Sequence, residues 1–191
     1  MGRLKTKFLM RNVRLFMTIK ESNCKTLYIL RHAKSDWTNR SLSDFDRPLN
    51  KRGTQQAPQI AAVLTAKDAR PQAIVSSPAN RAFSTAKIMA AAVGSGTSKI
   101  SSEKRIYEAS AQTLMYLIQE FDDHLDTILL VGHNPGLSQL VNTLSRQKIA
   151  PLPTCALIQL RLDMQHWNEL QPECAELISA DVPSDQGHQA R

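Results

Sequence analysis

The 191 residues suffice for one domain with a sizeable core and are few for two. Apolar residues make up 42% of the chain and charged residues 21%, an ordinary globular composition. The formal charge of +7 invites a nucleic-acid reading until it is located: seven basic residues against Glu21 give Met1 to Lys25 a net of +6, which leaves +1 for all that follows and excludes a strongly basic domain.

Residues 1–24 read as a basic N-terminal extension. Its apolar residues Leu4, Phe8, Leu9, Val13, Leu15 and Phe16 keep no helical period. An unstructured extension, or a true start at Met17, is therefore preferred over a targeting arm or one that touches an anionic membrane or nucleic acid. The extension lacks the long apolar core of a secretory signal, and no stretch of the chain approaches the roughly 18 apolar residues of a membrane span. A cytoplasmic protein with no membrane or nucleic-acid partner is expected.

Thr26 to Leu30 form a nearly continuous apolar run, the pattern of a strand buried on both faces of a parallel sheet. Arg31 and His32 follow at once, at the carboxyl end, where open α/β sheets bind ligands. A single histidine after a strand is ordinarily a hydrogen-bonded loop residue, so the pair gains meaning only by repetition elsewhere. Residues 34–51 form a polar loop holding Asp36, Asp44, Asp46 and Arg47, able to close over a substrate or to serve as a solvated connection. Asn50 is placed to cap a helix over 51–66, in which Pro58 predicts a kink or a later start near residue 57.

A second strand near 73–76 leads into Ser76, Ser77 and Pro78 and a helix over 79–93, closed by Gly94. Arg81 falls in the first turn of that helix, where free amides and the helix dipole favour anions; a surface carboxylate is its alternative partner. Glu108 precedes a helix over 111–121 with Leu114, Leu117, Ile118 and Phe121 on one face. A third strand, 127–131, delivers Gly132, His133 and Asn134, and Pro135 opens a helix whose Leu137, Leu140, Val141 and Leu144 face inward. Residues 155–162 and 174–180 read as two further strands, and 182–191 as a polar tail.

Three apolar strands thus end in polar chemistry, and parallel neighbours would bring Arg31 and His32, Ser76, Ser77 and Arg81, and His133 to one crevice. No linker or repeat interrupts 25–181, and the chain between Thr38 and Gln55 is too short for a large cap, so one α/β domain is expected. Cys24, Cys155 and Cys174 are odd in number without C-x-x-C spacing, and the five histidines lack the short pairings of metal motifs. Reduced thiols, no metal and no cofactor are expected.

The motifs RHAKSDW, DFDRPLNKRG, SSPANRAFSTA and VGHNPG, in that order over roughly residues 26 to 180, resemble the histidine phosphatase superfamily, which includes phosphoglycerate mutase. Within it the likeness is to the short, uncapped phosphohistidine phosphatases of the SixA type. The resemblance implies a phosphoglycerate mutase-like three-layer sandwich, with a mostly parallel central sheet flanked by helices and no large cap domain. It also implies a phosphate pocket formed by Arg31, His32, Arg81 and His133, with His32 as nucleophile and His133 counted among both the catalytic and the phosphate-binding groups. An acid is supplied from the stretch 103–110, which makes Glu108 the candidate and Glu103 the reserve. One departure is Ala33, where the superfamily's commonest motif has glycine: a Cβ hinders close backbone approach to phosphate if the position needs positive φ.

The activity so implied is metal-independent removal of phosphoryl groups from phosphohistidine in a protein substrate, through a phosphohistidine enzyme intermediate. A small-molecule phosphomonoesterase or mutase with the same chemistry is the alternative, its partner a small phosphate ester. A noncatalytic, phosphate-dependent binding module is the third possibility. Neutral imidazole is needed for attack, and neighbouring Arg31 and Arg81 should disfavour the imidazolium of His32. The sequence does not fix which ring nitrogen attacks.

Overall fold

The computed structural model describes residues 24–96 and 99–184. The extension before residue 24 and positions 185–191 of the tail, with the expectations made for them, lie outside the described residues.

Side chains alternate across a strand, so the apolar run after Lys25 serves two layers at once. In β1 (Cys24–Arg31), Leu27 and Ile29 enter one apolar layer while Tyr28 and Leu30 enter the other. Ile128 and Leu130 against Leu129 and Val131 divide in the same way along β4 (Thr127–Gly132). On one face pack α1 (Lys51–Ala66) and α2 (Asn80–Ala92), through Ile60, Leu64, Ala86 and Met89. On the other pack α3 (Ala111–Gln119) and α4 (Gly136–Leu144), through Leu114, Ile118, Leu137 and Leu140. Each fully buried Leu, Ile or Met among these contributes roughly 1.5–3 kcal/mol of transfer free energy, which is what holds helices to both faces.

The remaining strands are β2 (Ala73–Ser76), β3 (Ile100–Ser102), β5 (Leu157–Asp163) and β6 (Ala175–Asp181), and the sheet order is β3-β2-β4-β1-β5-β6. The first four neighbours are parallel; β5 runs antiparallel to both β1 and β6. This is the expected three-layer α/β sandwich with a mostly parallel sheet and no large cap. The three-residue strand β3 was not anticipated. With two of its residues exposed it carries no apolar run to read.

The expected later start of the first helix does not occur. That helix runs unbroken through Pro58 from Lys51, capped by the Asn50 side chain, which accepts from Gly53 N at 2.9 Å. A satisfied first turn and the buried Ala57, Ile60, Ala61 and Leu64 outweigh the one donor that proline removes. Gly53 is required for another reason. A Cβ there would lie 2.1 Å from the Lys34 carbonyl oxygen, which also accepts from Asn50 N at 3.0 Å. The turn after β1 and the start of α1 are therefore in direct backbone contact. The loop between them is pinned at its far side too, by Asn80 N to the Phe45 carbonyl at 3.0 Å and Asn80 Nδ2 to the Asp46 carbonyl at 3.1 Å.

Candidate active site

Because β4 lies between β1 and β2, their carboxyl ends are neighbours. Backbone bonds extend the registers past the strands: His32 N donates to Gly132 O at 3.1 Å and Ser77 N to Val131 O at 3.0 Å. Arg31, His32, Arg81 and His133 are brought together in this way. The imidazoles of His32 and His133 lie 5.0 Å apart, centroid to centroid, and both are buried, as is Arg81.

Hydrogen bonding fixes the tautomer of His32. Its Nδ1 lies 2.8 Å from the Ala33 carbonyl, which can only accept, so Nδ1 carries the proton. Nε2 is left with a lone pair, and Arg81 Nε donates to it at 3.2 Å. In His133 the relation is inverted. Arg81 Nη2, a donor only, stands 3.4 Å from Nδ1, so Nε2 donates to Ser77 Oγ at 2.8 Å, an oxygen that also accepts from Ala79 N.

Burial favours neutral imidazoles, and the cations nearby act in the same direction. Desolvation, then Arg81, Arg31 and Arg47, push His32 down to about 4 against the opposing bond to Ala33. Desolvation, then His32, Arg81 and Arg31, push His133 down to about 3. Both rings are therefore uncharged near neutrality, and Nε2 of His32 keeps an unprotonated lone pair held by Arg81 Nε.

Arg31 donates through Nη1 to the Leu152 carbonyl at 2.6 Å, while its buried Nε has no hydrogen-bond partner. Arg47, which the sequence places in a polar loop, is only 6% exposed, and two of its buried donors, Nε and Nη1, are likewise without partners. Unsatisfied buried donors of permanent cations are costly, and an oxyanion would satisfy them. Asp44, from the same loop, is held by Arg81 Nη2 at 2.8 Å, by Tyr107 OH at 2.9 Å and by Arg47 Nη2. Arg81 Nη1 donates to its main-chain carbonyl as well. Of the two partners weighed for Arg81 from sequence, an anion in the pocket and a carboxylate, the structure shows the carboxylate, Asp44, and adds contacts to both imidazoles that were not foreseen. Nothing in the sequence signalled Tyr107, which also stands edge-on to His133 at 5.5 Å between centroids.

Glu108 is exposed, has left-handed backbone at φ 54° and acts electrostatically on Arg81 from close by. Glu103 is engaged elsewhere: it accepts from Arg105 N at 2.9 Å and Arg105 Nη2 at 3.1 Å, capping the turn Lys104–Ile106. Ala33 is fully buried with no left-handed φ, and its amide donates to Thr85 Oγ1 at 3.1 Å, so its Cβ is a packed core group. Directly behind the site, Cys155 N donates to the carbonyls of Arg31 and His32, both at 3.1 Å. Burial pushes the Cys155 thiol up to about 12, so it stays protonated at neutral pH and does not compete as a nucleophile. Among the described residues, no group of three or more His, Cys, Asp or Glu side chains could hold a metal ion, and no helix is long and apolar enough to cross a membrane.

Comparison with known proteins agrees with this geometry. Residues 27–124 match the sequence model of the histidine phosphatase superfamily, branch 1. An uncharacterized chloroplastic protein of Arabidopsis thaliana is 35% identical over 153 residues, covering 76% of this chain and 70% of its own. An uncharacterized Mycobacterium tuberculosis protein is 32% identical over 164 residues, 81% of this chain and 99% of its own. In three dimensions the chain resembles a structure ascribed to a phosphohistidine phosphatase SixA of Agrobacterium tumefaciens, with TM-score 0.72 and 27% identity over 83% of this chain and 98% of that one. A protein histidine phosphatase SixA complexed with tungstate has the same fold, with TM-score 0.71 and 19% identity over 83% of this chain and 97% of that one.

Proposed function

The chain belongs to the histidine phosphatase superfamily, and from that premise we propose that it removes the phosphoryl group from phosphohistidine in a protein substrate, through a phosphohistidine formed on its own His32. Phosphatase activity goes with the family and the SixA-like fold; the nucleophile, its helpers and the substrate are the proposal. The observation that carries it is the tautomer of His32, whose Nε2 lone pair faces Arg81 in a site lined by three guanidinium groups.

In the first step Nε2 of His32 attacks phosphorus and the P–N bond to the substrate imidazole breaks. That ring leaves neutral when its other nitrogen carries a proton, so little is asked of a general acid. Water then attacks phosphorus, the P–Nε2 bond breaks, His32 returns to its neutral Nδ1–H form, and phosphate leaves as the dihydrogen ion, carrying both protons of the water. Arg31, Arg47 and Arg81 donate to the phosphoryl oxygens in both steps, with His133 beside them; losing one such donor costs about 10² to 10³ in rate. Asp44 must yield its bonds to the guanidiniums as the phosphoryl group arrives. Glu108 is the group to protonate an alkoxide when the substrate is an ester.

A protein substrate is supported by the short loop between β1 and α1, which leaves the pocket without a large cap, and by the likeness to a SixA phosphatase. The test is phosphate release, with EDTA present, from a phosphohistidine-bearing protein and from a panel of metabolite phosphate esters. Turnover of the first well above the second is expected. Turnover of esters alone would assign the protein to small-molecule chemistry.

A further inference from the structure

Three large apolar side chains left exposed, Trp37 at 68%, Leu42 at 38% and Phe45 at 38%, come from one short stretch of the loop between β1 and α1. Single exposed apolar residues are ordinary, but a group of them beside a catalytic mouth marks a contact surface. Trp37 lies over Arg47, whose guanidinium carbon is 3.3 Å from the ring centroid. Together with Asn39, Arg40 and Leu42, it lines a cleft of about 250 Å³ whose other walls are Asp44 and Arg47. Asp44 also accepts from Arg81, and Arg47 acts electrostatically on His32, so the cleft borders the candidate site.

We propose that this cleft is a subsite for the polypeptide that carries the phosphohistidine, taking an apolar side chain near the phosphorylated residue against Trp37 and Leu42, and a carboxylate against Arg40. The inference rests on the protein-substrate reading and gives it a sequence preference. Size supports a peptide side chain: the cleft is smaller than the roughly 300 Å³ at which pockets for drug-sized ligands begin. Charge supports an acidic neighbour. Arg40 is exposed and makes no ion pair with a described residue, whereas Asp44, the one carboxylate lining the cleft, is paired with Arg47 and Arg81. The wall is also preformed. Asp36 N to the Pro48 carbonyl at 2.8 Å and Asn80 N to the Phe45 carbonyl at 3.0 Å hold the loop in place, so a peptide binds without first ordering it.

The test compares kcat/KM for a phosphohistidine peptide flanked by Asp and Leu, the same peptide flanked by Lys and Ser, and phosphoramidate, which has no flanks. Wild type is expected to prefer the acidic, apolar peptide by about tenfold, Arg40→Glu to abolish or reverse the preference, and Leu42→Ser to reduce it to about threefold. Phosphoramidate turnover should stay within about threefold in all three proteins, since neither residue touches the phosphate pocket. Equal use of both peptides by wild type, or an unchanged preference in Arg40→Glu, would overturn the subsite. Wild-type turnover of phosphoramidate with none of either peptide would instead remove the protein-substrate reading on which the subsite stands.

Discussion

His32 reaches neutral pH as an uncharged ring because burial and three guanidiniums oppose its protonation, and this has a measurable sign. A lowered pKa keeps the imidazole nucleophilic as pH falls past 6.5, until the region of about 4. The acid limb of kcat/KM set by the free enzyme should therefore lie below about pH 5, with that of kcat at higher pH because bound phosphate favours the imidazolium. A kcat/KM limb at the ordinary histidine value would contradict the electrostatics. The same shifts imply stability that declines below about pH 6.5, where the unfolded chain takes up protons that buried His32 and His133 refuse. Asp44 holds the guanidinium donors that the proposed mechanism gives to phosphate, so Asp44→Asn should lower the inhibition constant of inorganic phosphate by about tenfold. A raised constant would mean that Asp44 instead holds the guanidiniums in place. Glu108→Gln should slow alkyl phosphate hydrolysis by about 10² or more while leaving phosphohistidine hydrolysis nearly intact; equal losses would remove it as the leaving-group acid. The convergence of Arg31, His32, Arg81 and His133 was legible because each ends or closely succeeds an apolar strand. Arg47, Asp44 and Tyr107 were not. Asp44 meets Arg81 across 37 residues and Tyr107 across 63, and no local pattern encodes such a meeting.

The elements follow from patterns of period two and period 3.6, and those were readable wherever the runs were long. Among the described residues, five of the six strands and all four α-helices lie where the apolar runs and caps place them. The exceptions are instructive. β3 is too short and too exposed to carry a pattern, and α1 starts at Lys51 rather than near residue 57 because the contact that fixes its first turn is tertiary. That contact, Gly53 against the Lys34 carbonyl, couples the chain just after His32 to a helix start. Gly53→Ala should destabilise the fold by about 2 kcal/mol, since backbone atoms rather than a flexible side chain oppose the Cβ. Removing the cap alone, Asn50→Ala, should cost about 1 kcal/mol. Chemical denaturation measures both, and a neutral Gly53→Ala would show that the first turn can move away from the strand end.

For the molecule as a whole, the sheet order places three polar strand ends side by side, and the short β1–α1 loop leaves their pocket open on one side. The strand pattern indicated a sheet with polar groups converging at its carboxyl end, and the reaction class came from the resemblance of four ordered motifs to the histidine phosphatase superfamily. The sequence did not indicate the rim. The apolar and charged residues around the mouth belong to a loop whose conformation is set by bonds to α2 and by the guanidinium stacked on Trp37. The most direct test of the central claim is chemical identification of the phosphoenzyme. A labelled phosphoryl donor should be mixed with the protein, quenched in alkali and mapped by peptide, in wild type and in His32→Ala. An acid-labile, alkali-stable label on His32, absent together with turnover from the variant, is predicted. Turnover that survives in His32→Ala, or a label on any other residue, would contradict covalent catalysis by His32.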